Sequence, residues 1–174
     1  MGQSGWKWFK FTYVCMEKWN RNLVIIMTFF TSEYECKLDA KGRLILPSRI
    51  KSQVPTEGSS EFVIRKGFEL CLILNPMVEF RKVFEKISTL NEFNTEHRKL
   101  QRNFLSGVMV VELDGNGRLL IPKSLLTYAE IDKEVILIGT GNKVELWNPT
   151  AYNNQKISDA VELSQLAEKY LKEN

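Results

Sequence analysis

Two arginines in matching frames are the side chains here best placed to do chemistry. The run Leu38-Asp39-Ala40-Lys41-Gly42-Arg43-Leu44-Ile45-Leu46-Pro47 returns 75 positions later as Leu113-Asp114-Gly115-Asn116-Gly117-Arg118-Leu119-Leu120-Ile121-Pro122. Asp39 and Asp114 can accept hydrogen bonds from the N–H groups of a turn. Gly42 and Gly117 can take the positive φ that such a turn needs. Two readings of Arg43 and Arg118 are open. Each can simply pair with its aspartate or a neighbouring carboxylate. Alternatively, the turn presents a guanidinium whose planar fork matches a phosphate, or O6 and N7 of guanine. Lys41, Arg49 and Lys51 add positive charge around the first copy, whereas the second offers Asn116 and Lys123 and is less basic.

Other chemistry is poorly served. The chain has one histidine, His97, and three cysteines, Cys15, Cys36 and Cys71, without a C-x-x-C spacing. That inventory predicts neither a zinc site nor a disulfide framework, and reduced thiols fit the cytoplasm. Cys36 and Cys71 read as small apolar strand residues. Asp39 and Asp114 could meet across two copies as a carboxylate pair. With no nucleophile–base pair and no phosphate-binding glycine loop, the chain is read as no enzyme, and neither a metal nor a cofactor is expected. His97, Arg98, Lys99 and Arg102 form a second basic cluster, readable as a nucleic-acid contact or as a solvated helix face.

The elements that position the motif also repeat. Tyr34, Cys36 and Leu38 alternate with charged residues as a half-buried strand does. A short strand from Arg43 to Leu46 must stop at Pro47, which suits the first turn of a helix. Short helices are therefore predicted over Ser48–Val54 and Lys123–Ala129. Two strands follow in each half, Phe62–Arg65 with Leu70–Leu74 and Val135–Ile138 with Lys143–Trp147. Asn75-Pro76 and Asn148-Pro149 then open a helix in both. Val78, Phe80, Val83, Phe84 and Ile87, then Leu100, Phe104 and Leu105, recur at helical spacing and bridge the halves. A single helix is expected over Thr150–Leu171, its apolar stripe (Ile157, Val161, Leu163, Leu166, Tyr170) a core or subunit contact. The fold class is α+β, divided as residues 27–90 (first repeat), 91–106 (linker helix), 107–149 (second repeat) and 150–174 (C-terminal helix).

Residues 1–26 do not conform. They hold three of the four tryptophans and, through Lys7, Lys10, Lys18 and Arg21 against Glu17, the whole net charge of +3. The remainder is neutral, so bulk charge gives no argument for a nucleic-acid partner and only local arrangement can. The apolar run from Leu23 to Phe30 has about the length of a signal-peptide core, which leaves a secretory signal as the lesser reading because no A-x-A-like cleavage site follows. It falls well short of the roughly 20 residues that span a bilayer, so no membrane is expected. Because the folding pattern begins just after Met27, that residue reads as the natural start and residues 1–26 as a non-native extension.

The paired D-x-x-G-R motifs, the run Lys133-Glu134-Val135-Ile136-Leu137-Ile138-Gly139, the run Val144-Glu145-Leu146-Trp147 and the linker Glu96-His97-Arg98-Lys99-Leu100-Gln101-Arg102 resemble the MraZ family. The resemblance covers about Met27 to Asn174. It implies two AbrB-like swapped-hairpin β-barrel units packed as a pseudo-dimer, and ring-shaped homo-oligomers. The implied function is binding double-stranded DNA at repeated promoter sites upstream of the division and cell wall gene cluster, to repress transcription in the cytoplasm at the nucleoid. The residues it implicates in DNA contact map to Arg43 and Arg118. Lys41, Asn116 and Arg49 are further candidate DNA contacts, with Asp39, Gly42, Asp114 and Gly117 shaping the motif. Asn116 departs from the pattern of Lys41, which leaves the two copies' relative shares open. The competing class is an antitoxin-like or structural oligomer that acts through protein partners. Two copies and a C-terminal helix weigh against it, since such antitoxins carry one barrel unit and a disordered tail.

Overall fold

The computed structural model describes residues 29–54 and 61–171. The readings of residues 1–26 as a non-native extension and of Met27 as the start lie outside the described residues. Alternating and β-rich runs give the strands of the first copy, β1 (Glu33–Lys37), β2 (Arg43–Ile45), β3 (Glu61–Lys66) and β4 (Cys71–Pro76), with the short helix α1 (Ser48–Ser52) between β2 and β3. Helices α2 (Met77–Ser88) and α3 (Thr95–Leu105) lead to the second copy. That copy repeats the order as β5 (Met109–Glu112), β6 (Arg118–Leu120), α4 (Lys123–Tyr128), β7 (Glu134–Gly139) and β8 (Val144–Trp147), and ends in α5 (Pro149–Gln155) and α6 (Ala160–Leu171). The fold is α+β, built from two tandem units.

The copies are units of sequence but not of packing. β1 pairs with β7 of the other copy, and β5 pairs with β3. The six-stranded sheet runs β1-β7-β8-β4-β3-β5, while β2 and β6 form a separate two-stranded ribbon. Exchanging each strand for its repeat mate reverses the sheet order and leaves it unchanged, which is a local twofold. The twofold passes between β4 and β8 and between β2 and β6. Accordingly Cys71 faces Trp147 while Leu74 faces Val144, and Arg43 faces Leu120 while Ile45 faces Arg118.

One core lies between the inner face of the sheet and the ribbon. Leu44, Leu46, Leu119 and Ile121 enter it from the ribbon side, and Phe62, Ile64, Leu72, Leu74, Leu137 and Leu146 from the sheet. Each such side chain contributes about 1.5–3 kcal/mol when fully buried. On the outer face, Phe80 of α2 and Phe104 of α3 cover Val63, and α5 closes over Ile136 and Trp147 with Ala151 and Tyr152. Phe30 is fully buried and tied at both backbone groups to Gly141, at 2.6 and 2.9 Å. Cys36 lies half-buried in β1 and Cys71 buried in β4.

The single helix expected over Thr150–Leu171 is two. The chain leaves helical geometry after Gln155 and resumes at Ala160. Two local devices cause the break. Lys156 is drawn to Glu33 on β1, 3.0 Å away, where the Tyr152 hydroxyl also donates at 2.9 Å. Asp159 then starts a new helix by accepting the Val161 N–H at 2.9 Å, as an N-cap carboxylate does. No residue of α6 is buried, and Val161, Leu163 and Tyr170 of its apolar stripe are more than half exposed among the described residues. Among the described residues, no helix is long and apolar enough to cross a membrane.

Candidate nucleic-acid interface

The motif forms the same turn twice. Gly42 and Gly117 have φ of +77° and +70°, a conformation that a Cβ opposes and glycine adopts freely. The Asp39 carboxylate accepts the N–H of Lys41 at 2.8 Å and that of Arg43 at 3.0 Å, and Nε of Arg43 donates to it at 2.6 Å. Asp114 repeats the set with the N–H groups of Asn116 and Arg118, both at 2.9 Å, and Nε of Arg118 at 2.7 Å. These donors, the arginine backbone N–H foremost, hold both carboxyls below the usual aspartate range. The aspartate–arginine pairing is therefore present in both copies, and it leaves the second reading of the arginines open. Each aspartate takes only Nε. Among the described residues the terminal Nη1 and Nη2 of Arg43 and Arg118 have no partner, and each side chain keeps about a quarter of its surface exposed (27%).

Strand geometry brings the two arginines together. In β2 and β6, Leu44 and Leu119 point inward and are fully buried. Period-two alternation then turns Arg43, Ile45, Arg118 and Leu120 to the same outer face. Arg43 and Arg118 occupy diagonal corners, a separation of about 7–8 Å at the backbone. Ile45 and Leu120 fill the other two corners at 61% and 55% exposure. Sequence reasoning did not place this apolar pair on the arginine face. The signal lay in Arg43-Leu44-Ile45-Leu46, where burying both leucines forces Ile45 outward beside the arginine.

The surrounding cations are distributed by the strand exchange. Lys51, expected to surround the first copy's turn, instead lies over the second. Its Nζ is 2.8 Å from where a Cβ on Gly117 would stand. Lys123 of the second copy shares a hollow with Asp39, Lys41 and Gly42 of the first. Helix α1 or α4 of one copy thus lies beside the turn of the other, and Lys51 brings a cation to the second turn, where Asn116 carries none. Lys41, Asn116 and Arg49 are all exposed, Arg49 on α1 just beyond the ribbon.

The linker cluster has a different occupation. Arg98 donates to the Glu92 carbonyl at 2.6 Å, and Nδ1 of His97 accepts the Asn91 N–H at 3.1 Å. Both close the connection between α2 and α3. No group of three or more His, Cys, Asp or Glu able to hold a metal ion occurs among the described residues.

Fold and site together define a class: a duplicated, strand-swapped α+β protein with one carboxylate-clamped arginine per copy on a shared outward ribbon. The family model described as "MraZ protein, putative antitoxin-like" matches the chain twice, over residues 29–103 and 104–174. A protein of Cytophaga hutchinsonii named Transcriptional regulator MraZ is 50% identical over 145 residues, 83% of this chain and 96% of that protein. Proteins of the same name from Christiangramia forsetii and Flavobacterium psychrophilum are 40% and 37% identical, across 79% and 83% of this chain and 90% and 93% of their own lengths. The chain belongs to the MraZ family.

Proposed function

We infer that this chain is a DNA-binding transcriptional regulator whose β2–β6 ribbon enters the major groove. The observation that carries this reading is the pair of aspartate-clamped arginines on one face. Each is held by Nε while its Nη groups have no hydrogen-bond partner among the described residues. A two-stranded ribbon fits the major groove, and a pre-oriented guanidinium forks onto guanine O6 and N7 or onto phosphate. Lys41, Lys51, Lys123 and Arg49 sit around the ribbon as phosphate partners, and Asn116 as a polar contact. The shared name of the relatives supports regulation of transcription. No catalytic role is assigned, because both motif aspartates are occupied in holding arginines.

The finer reading is a repressor that binds repeated sites upstream of the division and cell wall gene cluster, as a ring-shaped homo-oligomer at the nucleoid. The exposed apolar stripe of α6, with Val161, Leu163, Leu166 and Tyr170, supports self-association. Rings that place several ribbons along successive repeats convert weak contacts into avidity of about 10²–10⁴-fold when the spacing matches.

The test is fluorescence anisotropy on the DNA upstream of its own reading frame, against scrambled DNA, at two salt concentrations. Arg43→Ala and Arg118→Ala should each cost about 1–3 kcal/mol if the arginine reads a base. A phosphate contact would instead weaken all sequences alike and reduce the salt slope by about one. Equal binding to native and scrambled DNA would overturn the regulator reading.

A further inference from the structure

The regulator reading leaves two side chains of the ribbon face without a task. Ile45 and Leu120 are more than half exposed, at 61% and 55%, at two diagonal corners of a face whose inward neighbours Leu44 and Leu119 are fully buried. They occupy equivalent positions in the two copies and lie diagonally across the local twofold, each facing an arginine on the other strand. Resting on the reading of the ribbon as a major-groove element, we propose that Ile45 and Leu120 are specificity-determining residues that seat against thymine C5-methyl groups.

The occupant follows from charge and shape. A second copy of this chain placed face to face on the ribbon would set guanidinium against guanidinium, since Arg43 and Arg118 hold the remaining corners. The acidic groups nearest the face are spent in clamping those arginines, at 2.6 and 2.7 Å, and offer nothing to an incoming cation. A polyanion with an apolar feature between its charges fits instead. In the major groove that feature is the thymine C5-methyl, the one methyl group on the base edges there. The arginines would then take guanine or phosphate while the aliphatic pair selects thymine between them. The local twofold directs the two apolar contacts to opposite DNA strands, so one protomer reads a short, approximately palindromic core.

The experiment replaces thymine by uracil, which removes only the C5-methyl, in the upstream duplex used above. Anisotropy is measured for the full chain and for the Ile45→Ala/Leu120→Ala double variant. Both positions are solvent-exposed, so the substitutions spare the core, and circular dichroism verifies the fold. Wild-type protein is expected to lose affinity on uracil DNA by roughly fourfold per methyl, about 0.8 kcal/mol at 1.4 kcal/mol per tenfold. The double variant should show a comparable loss on thymine DNA and no further loss on uracil DNA. Wild-type binding that ignores the methyl, or a double variant that still senses it, overturns this assignment and leaves the regulator intact. Failure of wild-type protein to prefer its upstream DNA overturns the regulator reading and this assignment with it.

Discussion

Asp39 and Asp114 convert flexible arginines into fixed ones. A free arginine loses about 2 kcal/mol of rotamer freedom when it is immobilised, and a guanidinium already held at Nε has met part of that cost before binding. Asp39→Asn should therefore lower DNA affinity although Arg43 remains, by less than the roughly fivefold-or-greater loss of Arg43→Ala, in the same anisotropy assay. The clamp also has a defined pH range. Both carboxyls are depressed in the fold, so their contribution is complete above the unfolded value of 3.8 and disappears only as pH falls through the lower folded value. DNA affinity measured from pH 8 to pH 5 should show no step from these groups. Cys71 behaves oppositely to a reactive thiol. Burial pushes it up to about 12, so it should resist a thiol reagent at pH 8 in the native protein and react once the protein is unfolded.

At the scale of the element, the turn separates two glycines only two residues apart. Gly117 needs its positive φ and carries Lys51 above it, whereas a Cβ on Gly115 would meet nothing within 4 Å. Gly117→Ala should cost about 1–2 kcal/mol in urea denaturation, while Gly115→Ala should stay within about 0.5 kcal/mol of wild type. That turn was fully legible in the sequence because Asp, Gly and Arg at fixed spacing are a local code, needing no knowledge of the rest of the fold. The break before α6 was misread for the opposite reason. The apolar stripe was real, but Asp159 as a cap and Lys156 as a tether to Glu33 outweighed it, and the tether joins residues 123 apart. The misplacement of Lys51 and Lys123 has the same origin. Which turn a lysine neighbours depends on strand exchange, and no local pattern of strands distinguishes a hairpin closed within a copy from one exchanged between copies. Only the family resemblance carried the exchange.

At the scale of the whole molecule, each copy withholds what the other needs. Residues 29–103 alone contain β1 and β3 but neither β7 nor β5, their partners in the sheet. That piece is expected to associate with a second copy of itself or remain unfolded in size-exclusion chromatography with light scattering, and a folded monomer would contradict the shared core. Gly139 marks how tightly the ends are joined. A Cβ there would strike the backbone of Phe30 and Thr31, so Gly139→Ala should destabilise the protein by displacing the buried Phe30, read as a lower midpoint in urea denaturation. The register of Glu33 against Ile138 also sets a timetable for synthesis. β1 leaves the ribosome about a hundred residues before the strand that completes it. At about 5–20 residues per second, it waits some 5–20 s with its backbone groups unpaired. Its outward Glu33, Glu35 and Lys37 are the charged residues that discourage a nascent edge from pairing with the wrong chain during that interval.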